Sequence, residues 1–159
     1  MYAFALANNL KVVDGSATLG AQLAGATDLP ASGSYVDVRG AKWVHILVKL
    51  GAVHASDAPT LEPKVADAAN GTLDQISSGL AHTVANDDDQ EWVIWSIEVE
   101  SLAEGHYFIA VDVGGTVSNG SFAQVFFLLD LNEKPVTQTT AVLPTTSKYV
   151  YAGGQVVTG

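Results

Sequence analysis

The sequence predicts an all-β fold, a jelly-roll-like β-sandwich of about eight antiparallel strands with extended N- and C-terminal arms. Three observations support this. From Tyr35 onward, apolar residues alternate with polar ones at period two over several long stretches. Turn signals recur roughly every ten residues between those stretches. No segment carries a helical stripe, and GLAHTVAN is too short to form one. No internal repeat of 20 to 50 residues is present, which disfavours a propeller or a solenoid.

Residues 1–34 form the first region, an expected N-terminal arm. GSATLGAQLAGATDLPASGS is built of small, mostly uncharged residues that suit chain laid along a surface and are too slight for a core. The sandwich domain is expected over 35–131, with strands near 35–38, 42–53, 59–67, 72–76, 80–85, 91–100, 106–114 and 121–130. In KWVHILVKLGAV, Val44, Ile46, Val48 and Leu50 share one face, opposite Trp43, His45, Leu47 and Lys49. EWVIWSIEVE places Val93, Trp95, Ile97 and Val99 inward, with Ser96, Glu98 and Glu100 toward water. HYFIAVDV continues the pattern with Tyr107, Ile109, Val111 and Val113. FAQVFFLLDL is apolar on nearly both faces and reads as a central strand covered on each side.

Asn70-Gly71 and Asn119-Gly120 are two-residue hairpin signals, because Asn and Gly best tolerate the positive φ of a type I′ turn. Ser78-Gly79, Glu104-Gly105 and Gly114-Gly115 mark further turns. Residues 132–159 are the expected C-terminal extended segment, broken by Pro135 and Pro144 and able to add an edge strand.

Composition narrows the function. The 159 residues suffice for one domain, whose folding hides roughly 70% of the unfolded chain's surface. The chain contains no cysteine, which removes disulfides, thiolate nucleophiles and cysteine-based zinc sites. With 48% apolar and 15% charged residues, much of the surface is uncharged and suited to standing contacts with other chains. Net charge is −10, which repels phosphate backbones and anionic lipid, so neither nucleic acid nor membrane is expected as a partner. The start, MYAFALANNLKVVDG, lacks the pattern of an export signal.

Sites of chemistry are sparse. Asp87, Asp88 and Asp89 are weak candidates for a metal site: three adjacent acids followed by Gln90 lack the alternating ligands and turn glycine of a calcium loop. A solvated lip that shields the next strand from strangers explains them better. AVDVGGT resembles the phosphate-binding hairpin of actin-like sugar kinases but lacks their longer α/β context, and a glycine-rich strand end accounts for it. Asn70-Gly71-Thr72 and Asn119-Gly120-Ser121 match the glycosylation pattern but are explained as turns. His45, His54, His82 and His106 show no zinc-protease spacing, and His54 with Ser56 and Asp57 is at best a triad fragment. No catalytic, metal or cofactor-binding residue is therefore assigned, and no enzyme is expected.

WVHILVKLGAVHASDAPTLEPKVADAANGT, EWVIWSIEVE with GHYFIAVDV, and FAQVFFLLDLNEKPVTQ together resemble small jelly-roll auxiliary head proteins of tailed bacteriophages, the decoration or cement proteins. The resemblance covers about residues 35–140, and its most recognisable piece is the last strand running into Lys134-Pro135-Val136-Thr137-Gln138. It implies a structural virion protein without catalysis or cofactor, made in the host cytoplasm and then seated on the capsid exterior. Its implied partners are the major capsid protein and itself, commonly as a homotrimer. Trp43, Trp92, Pro135, Val136 and Gln138 are the expected subunit or capsid contacts. Two other readings stand beside it: a jelly-roll virion protein of the tail or head fibre base, and a carbohydrate-binding β-sandwich using Trp43, Trp92 or Trp95.

Overall fold

The computed structural model describes residues 9–16, 21–23, 27–85, 87–117, 122–133, 148–150 and 156–158. Among the described residues there are thirteen strands: β1 (Lys11–Asp14), β2 (Ala21–Gln22), β3 (Thr27–Leu29), β4 (Val36–Asp37), β5 (Ala41–Leu50), β6 (Ala58–Ala66), β7 (Asp74–Gln75), β8 (His82–Thr83), β9 (Trp92–Glu98), β10 (Phe108–Thr116), β11 (Phe122–Leu131), β12 (Lys148–Val150) and β13 (Val156–Thr158). The first eleven form a β-sandwich. One sheet has the order β1-β11-β5-β9, with β2 also pairing β11. The other has the order β3-β10-β6-β7, with β4 on β10 and β8 on β6. Every pairing in both is antiparallel. Among the described residues no helix is long and apolar enough to cross a membrane.

The period-two pattern produces this arrangement directly. Val44, Ile46, Val48 and Leu50 of β5 are fully buried, and their register partners Leu129, Phe127, Val125 and Ala123 on β11 are buried beside them. Trp95 and Ile97 of β9 extend that face. The second sheet presents Leu61 and Val65 from β6 and Ile109, Val111 and Val113 from β10. These residues belong to one continuous core. Interdigitated inner faces of this kind stabilise by about 25 cal/mol per Å² of apolar surface removed from water. A smaller cluster of Tyr35, Ala66 and Ala110 lies apart from it, with Phe108 and Leu73 packed alongside. Ala110 is thus buried although it alternates with the core residues of β10.

Residues 1–34 contribute strands to both sheets. β1 pairs β11 and β2 pairs β11, whereas β3 pairs β10. The described part of the expected arm is therefore edge structure of its own sandwich, with Leu23 and Leu29 buried in the core. Small residues are needed there for a steric reason. Gly15 approaches the core so closely that an added Cβ would lie 2.5 Å from the Phe127 ring. Its neighbour Ser16 is buried and accepts the Val125 amide at 2.7 Å.

Several expectations are corrected. Asn70 and Gly71 do not form a two-residue hairpin: the connection from β6 to β7 spans 67–73, with Gly71 N–H donating to Ala68 O. Among the described residues, positive φ occurs instead at Gly33, Gly40, Gly79, Gly105, Gly115 and Gln90. Gly79 and Gly105 are the turns expected there, but Gly114 and Gly115 lie within β10, paired with Thr60 and Pro59. Strand β9 stops at Glu98, and Val99–Ser101 is a 3-10 turn. β11 is central in its sheet, and its outward residues Phe126 and Leu128 are half-buried. β12 pairs β13, and neither joins the edge of a main sheet among the described residues. The Asn119-Gly120 turn and Pro135, Val136 and Gln138 lie outside the described residues.

Proline placement follows the hydrogen-bonding pattern. Pro63 sits in the interior of β6, where a missing N–H would normally break a ladder. On the outer side of β6, β8 pairs Thr60 and Leu61 while β7 pairs Lys64 and Val65. Residues 62 and 63 fall in the gap between these two short edge strands.

Candidate interaction surface

The register of the five-stranded sheet assembles its outer face. Ile94 of β9 stands beside Leu47 of β5, which stands beside Phe126 of β11. The adjacent row is Ser96, His45, Leu128 and Val12. Flanking rows place Trp92 beside Lys49 and Gln124, and Glu98 beside Trp43 and Asp130. A solvated sheet face usually reads polar. Here a band of Ile94, Leu47, Phe126 and Leu128 crosses three strands, with Trp92 at one side.

Two of these residues project furthest. Trp92 is 51% and Ile94 59% exposed, and no other large apolar side chain among the described residues is as open. Lys49 lies over the Trp92 ring with Nζ 5.4 Å from its centroid, and the same ammonium donates to Gln90 O. Trp43 is half-buried and stacks on His45, with ring centroids 6.5 Å apart and planes 7° apart. His45 in turn is hydrogen-bonded through Nδ1 to Ser96 Oγ at 2.8 Å. Trp43 and Trp92 share the face but lie at its opposite ends, six strand residues or about 20 Å apart. They do not form a common stacking platform. Trp95 points the other way, is buried, and donates its indole N–H to Leu80 O at 2.9 Å.

Strand β9 is also the terminal strand of its sheet. Leu50 N–H donates to Glu91 O at 3.0 Å, which fixes which residues bond across the β5–β9 ladder. Because antiparallel pairs alternate, the backbone groups of Val93, Trp95 and Ile97 face β5, and those of Trp92, Ile94, Ser96 and Glu98 face outward. The residues whose side chains line the apolar outer face are therefore the same ones that present backbone donors and acceptors at the edge.

The acidic cluster has a structural task. Asp89 Oδ1 accepts the Val53 amide at 2.6 Å, and Asp88 Oδ2 accepts the Ala85 amide at 2.8 Å. His82 Nε2 approaches Asp88 at 3.7 Å. Gln90, with φ of 64°, then turns the chain into β9. Asp87 is exposed. Among the described residues no group of three or more His, Asp or Glu side chains is arranged to hold a metal ion. In the His54 region, His54 Nδ1 meets Ser56 Oγ at 2.8 Å, and Asp57 is buried with its N–H donating to His54 O, so all three lie within one turn.

The opposite outer face carries ion pairs beside the small Tyr35 cluster. Lys64 Nζ bonds Asp112 at 2.6 Å and stands 3.4 Å from Glu62, so the hydrogen bond and the two negative charges hold its ammonium above the usual range. Tyr35 donates its hydroxyl to Asp28 at 2.5 Å, and burial followed by that bond raises its pKa. Arg39 grips Asp37 and holds that carboxyl below the usual range.

Trp92 was visible in the sequence as an outward aromatic. Ile94, Leu47, Phe126 and Leu128 were not assigned to the surface. The available signal was Ile94, an apolar residue in register with Ser96 and Glu98, together with the two-faced apolarity of β11. A scan against protein-family models finds no match, and a search of curated proteins finds no significant one.

Proposed function

We propose that this protein is a non-catalytic structural module that docks on a larger protein assembly through the outer face of its five-stranded sheet. The observation that carries this is the apolar band of Trp92, Ile94, Leu47, Phe126 and Leu128 on a face that would otherwise be polar. Large apolar residues grouped at a surface, here with Trp92 and Ile94 exposed and the rest half-buried, characterise interaction surfaces. The low content of charged side chains and the net charge of −10 fit a protein that binds protein and avoids nucleic acid.

The resemblance of residues 35–140 to phage head auxiliary proteins supplies the assembly. The module is then a jelly-roll decoration or cement protein, homotrimeric, that binds the major capsid protein on the outside of the shell and stabilises the lattice. The test is cosedimentation with shells assembled from a tailed-phage major capsid protein. Wild-type protein is expected to pellet with shells and raise their disassembly temperature, and Leu47→Lys is expected to remain in the supernatant. Failure of the wild type to bind shells would overturn the capsid reading.

A further inference from the structure

We infer that the β9 edge is completed by an extended, basic strand of another protein, added alongside Trp92–Glu98. This deepens the reading of that sheet face as a docking surface and rests on it. Three observations converge. The edge is unpaired among the described residues, and the outward-facing backbone groups are those of Trp92, Ile94, Ser96 and Glu98. The side chains of Trp92 and Ile94 are the most open apolar groups described, so an added strand extends the apolar band over them. Both ends of the edge are acidic: Asp87, Asp88, Asp89 and Glu91 precede β9, and Glu98 and Glu100 close it.

Charge decides between the two kinds of strand that could fill the edge. A second copy of β9 related by a two-fold axis would bring the acids before Trp92 against Glu98 and Glu100. Like charges directly opposite each other destabilise a strand pair. On the outer face, the rows of Phe126 and Trp43 also carry the acids Asp14, Asp130 and Glu98. A chain with apolar residues abreast of Trp92 and Ile94 and basic residues at both ends satisfies the hydrogen bonds, the apolar face and the charge together. Main-chain pairing then supplies affinity, and the alternating side chains supply selectivity.

The test uses the full chain and a blocked nonapeptide, Lys-Lys-Val-Thr-Val-Thr-Val-Lys-Lys, by titration calorimetry. Binding that weakens with added salt is expected. N-methylation of the three valine amides, or Glu in place of the four Lys, is expected to weaken binding by about tenfold or more. Ile94→Pro is expected to do the same while leaving the β5 ladder intact, because the Ile94 N–H faces outward. If that variant loses its fold by circular dichroism, the N-methylated peptide on wild-type protein decides alone. Equal binding of the N-methylated or the Glu-ended peptide overturns the inference, as does a wild-type dimer that Ile94→Pro dissociates. Shell binding retained by a folded Ile94→Pro variant overturns it too while sparing the docking reading. Peptide binding without shell binding sinks the capsid assignment and leaves the edge strand standing.

Discussion

Asp89 accepts the Val53 amide through Oδ1 at 2.6 Å, joining two loops that lie 36 residues apart in the chain. This bond anchors the approach to β9 against the end of β5, so the edge that carries Trp92 and Ile94 starts from a fixed point. Asp89→Ala leaves the part-buried Val53 N–H without that acceptor and should cost about 1–3 kcal/mol in urea unfolding. Asp87→Ala, at an exposed position, should change stability by no more than about 0.5 kcal/mol.

Tryptophans on opposite faces of one strand should behave oppositely. Trp95 is buried with its indole N–H bonded to Leu80 O, and Trp95→Ala should cost about 3–5 kcal/mol. Trp92 is half open, and Trp92→Ala should cost less than about 1 kcal/mol while weakening partner binding. Chemical denaturation of both variants checks the first contrast, and cosedimentation with shells checks the second.

The glycines of AVDVGGT serve the backbone. Gly115 has φ of +79°, and a Cβ there would lie 2.3 Å from Ala58 O across the β6–β10 ladder. Gly115→Ala should therefore destabilise by about 1–3 kcal/mol. Gly114→Ala, whose nearest atom would be 4.0 Å away and whose φ is not positive, should cost distinctly less. Thermal unfolding of the two variants separates them.

Stability should fall at alkaline pH. Tyr35 and Lys64 both have folded-state pKa values above their ordinary ones. A group raised on folding contributes stability that is complete below its unfolded pKa and is lost as pH rises through its folded pKa. The decline should therefore set in above about pH 10. Tyr35→Phe should flatten part of that slope in unfolding measured across the range. Asp37 acts in the other direction: the Arg39 hydrogen bonds lower its pKa, so its small, solvent-screened contribution is lost as pH falls below about 4.

The sandwich was legible in the sequence because period two is a direct imprint of a one-sided sheet. Val44, Ile46, Val48 and Leu50 announced the inner face of β5, and Trp95 was placed in the core correctly. Short edge strands were harder to see. Lys11–Asp14 and Thr27–Leu29 are held by pairing with β11 and β10, not by a periodic pattern of their own, so residues 1–34 read as an arm. The Asn70-Gly71 signal misled because local φ preference yielded to ties from residues 31–35: Gly33 and Tyr35 both donate to Ala69 O. The outer apolar band was illegible for a different reason. Ile94, Leu47 and Phe126 are far apart in sequence and become neighbours only through register.

The most direct test of the central claim, that the outer face and the β9 edge form the docking surface, is hydrogen–deuterium exchange of the protein alone and bound to shells. The account predicts slowed exchange on binding at the outward amides of Trp92, Ile94, Ser96 and Glu98, with β6 and β10 unchanged. Protection confined to the opposite outer face around Lys64 and Asp112, with β9 still exchanging freely, would contradict it.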